Sequence, residues 1–143
     1  MHSIENVLKE RILVLDGAMG TVIQEYGLQE KDFSSCCSCN SSQKGNNDLL
    51  NLTRPDIIKS IHEKYLEAGA NIIETNTLNS NRISQADFGM EDKIYEINYN
   101  GAKLAKEASN KLVWRDESPN ERLYWWFYRN SRYWSIGNII IGN

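Results

Sequence analysis

The sequence lacks the features that would place the protein in a membrane or on nucleic acid. It has no apolar run of about 18 residues, and its amino terminus has neither the basic start nor the apolar core of a secretory signal. It also lacks an excess of basic residues, because 16 Lys and Arg against 19 Asp and Glu give a formal net charge of −3. These absences predict a soluble, cytoplasmic protein that binds neither nucleic acid nor a membrane.

Candidate metal ligands are also few. The three cysteines, Cys36, Cys37 and Cys39, lie together in a stretch rich in Ser and Asn, and the two histidines are His2 and His62. One interpretation is a thiolate metal site, but these residues do not give a recognisable tetrahedral zinc spacing. We favour the other interpretation, free thiols in a polar loop. His62 lies beside polar residues in a helical pattern, so we expect it on the surface.

The first 110 residues have the pattern of an α/β fold. Residues 12–15 form a continuous apolar run and residues 70–73 form a mostly apolar one, and such runs are typical of parallel strands buried on both faces. We predict the second strand over residues 70–74. For the helix between them we expect Thr53 as cap, Pro55 in the first turn, Asp56 as capping-box partner and Gly69 at the end. We also predict helices over residues 3–10, 19–26 and 91–109, a helical turn over residues 80–86 and a polar loop over residues 27–47. This order indicates a parallel sheet with right-handed crossovers.

Polar residues and glycine follow both predicted strands, where α/β enzymes place their sites. Asp16 could bind a ligand ammonium group, and the backbone amides over residues 17–20 could bind a ligand carboxylate. Together they could hold a zwitterionic amino acid, but a strand-to-helix turn that binds nothing fits the spacing equally well. Residues 74–77, Glu-Thr-Asn-Thr, add a carboxylate, two hydroxyls and an amide. For Thr75 and Thr77 a polar turn is as good an interpretation as ligand contact.

At these motifs the sequence resembles the homocysteine S-methyltransferase family, and within it the cobalamin-dependent methionine synthases. The resemblance covers residues 10–110. The matching segments are RILVLDGAMGT (residues 11–21), KGNNDLLNLTRP (residues 44–55), YLEAGA (residues 65–70), IETNT (residues 73–77), ISQAD (residues 83–87) and YEIN (residues 95–98).

This resemblance implies the amino-terminal part of a (β/α)₈ TIM barrel with homocysteine at its carboxyl-terminal face. It also implies a zinc ion that binds the substrate sulfur and that is held, in the family, by three cysteines late in the barrel. The methyl donor it implies is methylcobalamin on a separate domain, beside cobalamin and folate modules. Cys36, Cys37 and Cys39 do not correspond to those zinc ligands, so no metal ligand is assigned. The substrate-binding residues it implies are Asp16, Gly17, Ala18, Met19, Glu74, Thr75 and Asn76.

The composition changes at about residue 110, and all 4 tryptophans follow it. We therefore divide the chain into an incomplete barrel domain, residues 1–110, and an atypical aromatic tail, residues 111–143. Tryptophan has one codon, TGG, so reading Trp125 and Trp126 one base later forces Gly-Gly, where the resemblance leads us to expect glycines after a third strand. We predict a frameshift near Lys111 and expect the resulting fragment to be inactive alone. We also expect the fragment to be poorly stable, because its strand edges are open. The alternative is a truncated protein whose aromatic and basic tail binds nucleic acid or a membrane surface.

Overall fold

The computed structural model describes residues 4–34, 41–113, 125–130 and 133–136. Cys36, Cys37 and Cys39 lie outside the described residues. The helices are α1 (Ile4–Glu10), α2 (Met19–Glu25), α3 (Glu30–Ser34), α4 (Leu50–Thr53), α5 (Pro55–Glu67), α6 (Arg82–Ala86) and α7 (Ile94–Val113), with 3₁₀ turns at Asn47–Leu49 and Glu91–Lys93. The strands are β1 (Ile72–Glu74), β2 (Trp125–Asn130) and β3 (Tyr133–Ile136). The helices predicted over residues 3–10, 19–26, 80–86 and 91–109 are confirmed, apart from differences at their ends. None of the helices in the described ranges is both long enough and apolar enough to cross a membrane.

The sheet has the order β1–β2–β3. β1 pairs in parallel with β2, in the register Ile73 opposite Trp126, and β2 pairs antiparallel with β3. On the other side of β1, Leu15 forms a parallel bridge with Ile72. The parallel pairing of residue 15 and β1 is the arrangement that the strand and helix order predicts. β2 and β3 fall within residues 111–143, and the predicted frameshift there stays a prediction.

The segment over residues 12–15 differs from its prediction as a buried strand. It bonds to the sheet through Val14, whose carbonyl accepts hydrogen bonds from the backbone N–H groups of Asn71 (2.8 Å) and Ile72 (3.1 Å). Ile12, however, is 88% exposed and Val14 is 54% exposed. The segment lies at the open side of β1, where the described part of the chain leaves these side chains uncovered. The predicted burial on both faces is therefore wrong for the described structure.

The core forms where α5 packs on α7. Its main cluster consists of Ile23, Phe33, Leu50, Ile57, Ile58, Ile61 and Leu104. A second cluster joins this helix pair to the sheet through Leu66, Ile73, Ala105 and Ala108. Burial of each large apolar side chain contributes roughly 1.5–3 kcal/mol. Phe33 belongs to α3, so the polar loop predicted over residues 27–47 contains a short helix with one apolar residue in the core.

The start of α5 differs from the predicted capping box. Thr53 is the last residue of α4, and its hydroxyl donates back to the Leu49 carbonyl at 3.5 Å. Arg54 occupies the cap position without a side-chain cap bond. Asp56 accepts two hydrogen bonds from the Arg54 guanidinium, at 3.0 and 2.9 Å. The prediction of Thr53 as cap and Asp56 as its capping-box partner is therefore wrong, because the Thr53 hydroxyl bonds within the preceding helix α4 instead of capping α5. The predicted end is confirmed, since Gly69 follows the helix with φ +106°.

His62 is buried, against the prediction of a surface histidine. Its exposed fraction is 0%, and it lies four residues after Ile58 and four before Leu66, which are also buried. It therefore belongs to the apolar stripe of α5. The polar residues that follow it, Glu63 and Lys64, do not indicate this burial. Burial lowers the pKa of His62 from 6.5 to about 4. Among the described residues, neither of its ring nitrogens has a hydrogen-bond partner.

Candidate functional site

A cavity of about 420 Å³ opens where residue 15 and β1 end. Three segments line it: residues 15–20, residues 45 and 47–48, and residues 74–79. The first and third follow paired parallel segments, so they meet at one edge of the sheet. All seven residues that the resemblance implies for substrate binding line this cavity: Asp16, Gly17, Ala18, Met19, Glu74, Thr75 and Asn76. The structure thus brings them together, and their contact with a substrate stays a prediction.

Asp16 joins the two strand ends. Its backbone N–H donates to the Ile72 carbonyl at 2.9 Å, and its Oδ1 accepts a hydrogen bond from the Glu74 backbone N–H at 3.0 Å. The pKa of Asp16 is raised to about 7, mainly by burial and to a smaller extent by the nearby Glu74 carboxylate, against the lowering effect of the hydrogen bond. A positive group in the cavity would favour the ionised form of Asp16. Asp16 therefore has the position and the chemistry of a group that binds an ammonium ion.

The turn after Asp16 has a strained residue. Ala18 precedes α2 with φ +27° and ψ +33°, and in the described residues it is the one position other than glycine with a positive φ. A side chain with a Cβ is unfavourable in this region of backbone space. Ala18 belongs to the cavity lining. Unusual backbone conformations of this kind are common at functional sites.

The polar residues after β1 bond largely to one another and to a neighbouring turn. Thr75 and Thr77 are buried, and their hydroxyl oxygens lie 2.6 Å apart in a hydrogen bond. The Asn76 side-chain amide donates to the Asn47 carbonyl at 2.8 Å and to the Asn51 Oδ1 at 3.3 Å. In return, the Asn51 side chain donates to the Asn76 carbonyl at 2.7 Å. These bonds support the polar-turn interpretation for the two threonines and give Asn76 a role in shaping the cavity wall.

Asp48 is a cavity residue that the sequence did not single out. It is only 3% exposed, and its Oδ2 accepts hydrogen bonds from the Asn79 backbone N–H and the Ser80 hydroxyl, both at 2.7 Å. Burial raises the pKa of Asp48 to about 6, although these hydrogen bonds oppose the increase. The signal in the sequence is the cluster Gly-Asn-Asn-Asp over residues 45–48, which lies within one of the segments that carry the resemblance.

The described residues do not form a zinc site. Among them, no group of three or more His, Cys, Asp or Glu side chains could hold a metal ion. The cavity offers carboxylate and amide oxygens, whereas zinc in proteins favours sulfur and nitrogen ligands. The zinc ion implied by the resemblance therefore does not fit the residues at hand, and no chemical step can be derived through it here.

Comparisons with known proteins agree with this geometry. The family model described as homocysteine S-methyltransferase matches residues 13–133. Among solved structures, the metallated form of the homocysteine methyltransferase MmuM from Escherichia coli has a TM-score of 0.62 at 19% identity, covering 84% of this chain and 38% of that one. Its oxidized form has a TM-score of 0.64 at 20% identity, covering 85% and 38%. At these identities the solved structures show a shared fold, and this chain spans 38% of their length.

Proposed function

Because this chain belongs to the homocysteine S-methyltransferase family, we propose that its cavity binds homocysteine for methyl transfer to the substrate sulfur, which forms methionine. The observation that carries this proposal is the position of Asp16, a largely buried carboxylate with its pKa raised to about 7, in the wall of the cavity. A volume of about 420 Å³ is sufficient for an amino acid.

In this proposal the homocysteine ammonium group lies against Asp16, with Glu74 nearby. The positive charge offsets the cost of ionising the buried Asp16 carboxyl, so binding below pH 7 releases a proton from it. The substrate carboxylate then faces the turn over residues 17–20, where the first amides of α2 have no partner within the helix. The sulfur lies at the open end of the cavity, accessible to a methyl donor.

We further propose that the protein belongs to the cobalamin-dependent methionine synthases, in the cytoplasm. Methylcobalamin on a separate module supplies the methyl group, beside a folate module, and zinc is held by residues other than those described. Because this chain spans 38% of the length of the two solved structures, we also propose that it is an incomplete TIM barrel, inactive by itself. The division into residues 1–110 and a frameshifted tail remains part of this proposal.

The pairing of β2 favours a barrel fragment over the alternative of a truncated protein whose tail binds nucleic acid or a membrane surface. β2 (Trp125–Asn130), which begins with four aromatic residues, pairs with β1 along three residues. A segment that continues the sheet is better suited to a barrel fragment than to an independent tail that binds nucleic acid or a membrane.

Calorimetric titration of the 143-residue chain with homocysteine tests the proposal. We expect saturable binding, with proton release at pH 6 measured by comparing buffers of different ionisation enthalpy. Asp16→Asn should weaken the affinity by about tenfold or more and abolish the proton release, because it removes a charge-assisted bond. Asp92→Asn is the matched control, since Asp92 is exposed and lies outside the cavity lining. Equal affinities for the parent and Asp16→Asn would refute the assignment.

A further inference from the structure

The part of the cavity wall formed by Leu78 and Asn79 is held from outside the cavity by a buried amide pair. Asn46 and Gln85 exchange reciprocal side-chain hydrogen bonds: the Asn46 amide donates to the Gln85 Oε1 at 2.9 Å, and the Gln85 amide donates to the Asn46 Oδ1 at 3.1 Å. Asn46 is 3% exposed and Gln85 is 0% exposed. Neither residue is part of the cavity lining, which includes Gly45 and Asn47 on either side of Asn46.

This amide pair is hydrogen-bonded to Asn79, which lines the cavity. The Gln85 amide also donates to the backbone carbonyl of Asn79 at 3.1 Å, which accepts a second bond from the Asn81 backbone N–H at 2.8 Å. The backbone N–H of Asn79 donates to Asp48. The segment that carries Asn46 and Asp48 thus holds the Asn79 N–H directly through Asp48, and the Asn79 carbonyl indirectly through Gln85.

We propose that Gln85 and Asn46 are positioning residues for the cavity: they fix Asn79 against residues 45–48 and thereby set the width of the ligand site. The proposal rests on the proposed function only where it concerns homocysteine. The physical reason is that two segments far apart in sequence form adjoining parts of the same lining. A buried, reciprocal amide pair defines their separation more strictly than apolar contact does, because a broken bond would leave a buried polar group unsatisfied.

Gln85→Glu is the sharpest variant. The new carboxylate can still accept the Asn46 bond, but it cannot donate to the Asn79 carbonyl and repels it. Gln43→Glu is a matched control: Gln43 is also 0% exposed, and its amide donates to the Phe88 carbonyl at 2.8 Å, away from the cavity lining. Its Oε1 accepts a hydrogen bond from the Asn46 amide at 3.4 Å, and glutamate keeps an acceptor oxygen for that bond. Both variants place the same new charge in the same buried region.

Two measurements on the full 143-residue chain test the proposal. In hydrogen exchange without ligand, Gln85→Glu should accelerate exchange of the Asn79 amide about tenfold relative to Gln43→Glu. In titration with homocysteine, Gln85→Glu should weaken affinity on the order of tenfold, and Gln43→Glu should leave it within about twofold of the parent. If Gln85→Glu fails to fold, Gln85→Met and Gln43→Met serve as the same pair without the charge.

The outcomes separate the two proposals. If the parent chain does not bind homocysteine, the proposed function fails, and the exchange measurement still decides the role of Gln85. Equal exchange at Asn79 in both variants would overturn the positioning role. Equal losses of affinity in both variants would overturn it as well, because a general loss of stability would then explain the effect.

Discussion

Replacement of His62 by leucine should stabilise the protein, and more so in acid. Among the described residues the two buried ring nitrogens have no hydrogen-bond partner, and such a buried polar group costs about 1–3 kcal/mol. Leucine removes that cost and continues the apolar stripe between Ile58 and Leu66. We therefore expect His62→Leu to raise the free energy of unfolding at pH 7 by about 1–3 kcal/mol, less any strain from its different shape.

The pH dependence gives the prediction a definite sign. The pKa of His62 falls from 6.5 to about 4 on folding, so between these values the unfolded chain binds more protons than the folded chain. The free energy of unfolding of the parent therefore falls as pH falls from 6.5 to 4. This decrease amounts to about 3 kcal/mol. The advantage of His62→Leu over the parent should increase by that amount between pH 7 and pH 4.

Urea unfolding of parent and variant at a series of pH values measures this advantage. Asp48→Asn serves as a control of opposite sign, because burial raises the pKa of Asp48 to about 6. Its ionisation costs the folded state stability as pH rises from 3.8 to 6, so the advantage of Asp48→Asn should decrease in acid. A constant difference between His62→Leu and the parent from pH 7 to pH 4 would refute the reasoning.

Two further predictions concern backbone positions in the cavity lining or packed against it. A Cβ on Gly101 would lie 2.6 Å from the Thr77 Cγ2, so Gly101→Ala should lower the free energy of unfolding by about 1–3 kcal/mol despite its better helix propensity. In Gly20→Ala the new Cβ would be 3.7 Å from its nearest neighbour, so this variant should not lower the free energy of unfolding. An equal decrease in both variants would contradict the packing argument. Ala18→Gly should raise the free energy of unfolding by about 0.5–1 kcal/mol, since it relieves a φ of +27°. Ala102→Gly, within the regular helix α7, should lower it by about 1 kcal/mol, and urea unfolding measures all four.

The sequence predicted the location of the cavity because that location follows from strand direction. An apolar run followed at once by polar residues indicates the carboxyl end of a buried strand, and parallel pairing brings such ends together. Asp16 and Glu74, 58 residues apart, meet in this way through a hydrogen bond. The positions of α5 and α7 follow equally from local signals, namely the helical apolar spacing and Gly69.

Features that depend on distant contacts were not predictable in the same way. His62 shares the helical spacing of Ile58 and Leu66, but the polar residues that follow it in sequence favour the surface. The packing of α5 against α7 and β1 decides that its position is buried. The role of Asp48 depends on Asn79 and Ser80, which reach it only after β1 and the following turn are formed. A carboxylate in a polar stretch gives no sign of such burial, so Asp48 was indistinguishable from a solvated residue.

The polar residues after β1 differ in what the fold already requires of them. Thr75 and Thr77 bond to each other, and Asn76 bonds to the turn at Asn47. These bonds keep the cavity wall in place whether or not a ligand is present. Asp16 differs because its pKa is raised to about 7, mainly by burial, so a bound cation would gain more from it than from a solvated carboxylate. For this reason the affinity of the cavity should respond most directly to Asp16, and its shape to the residues around it.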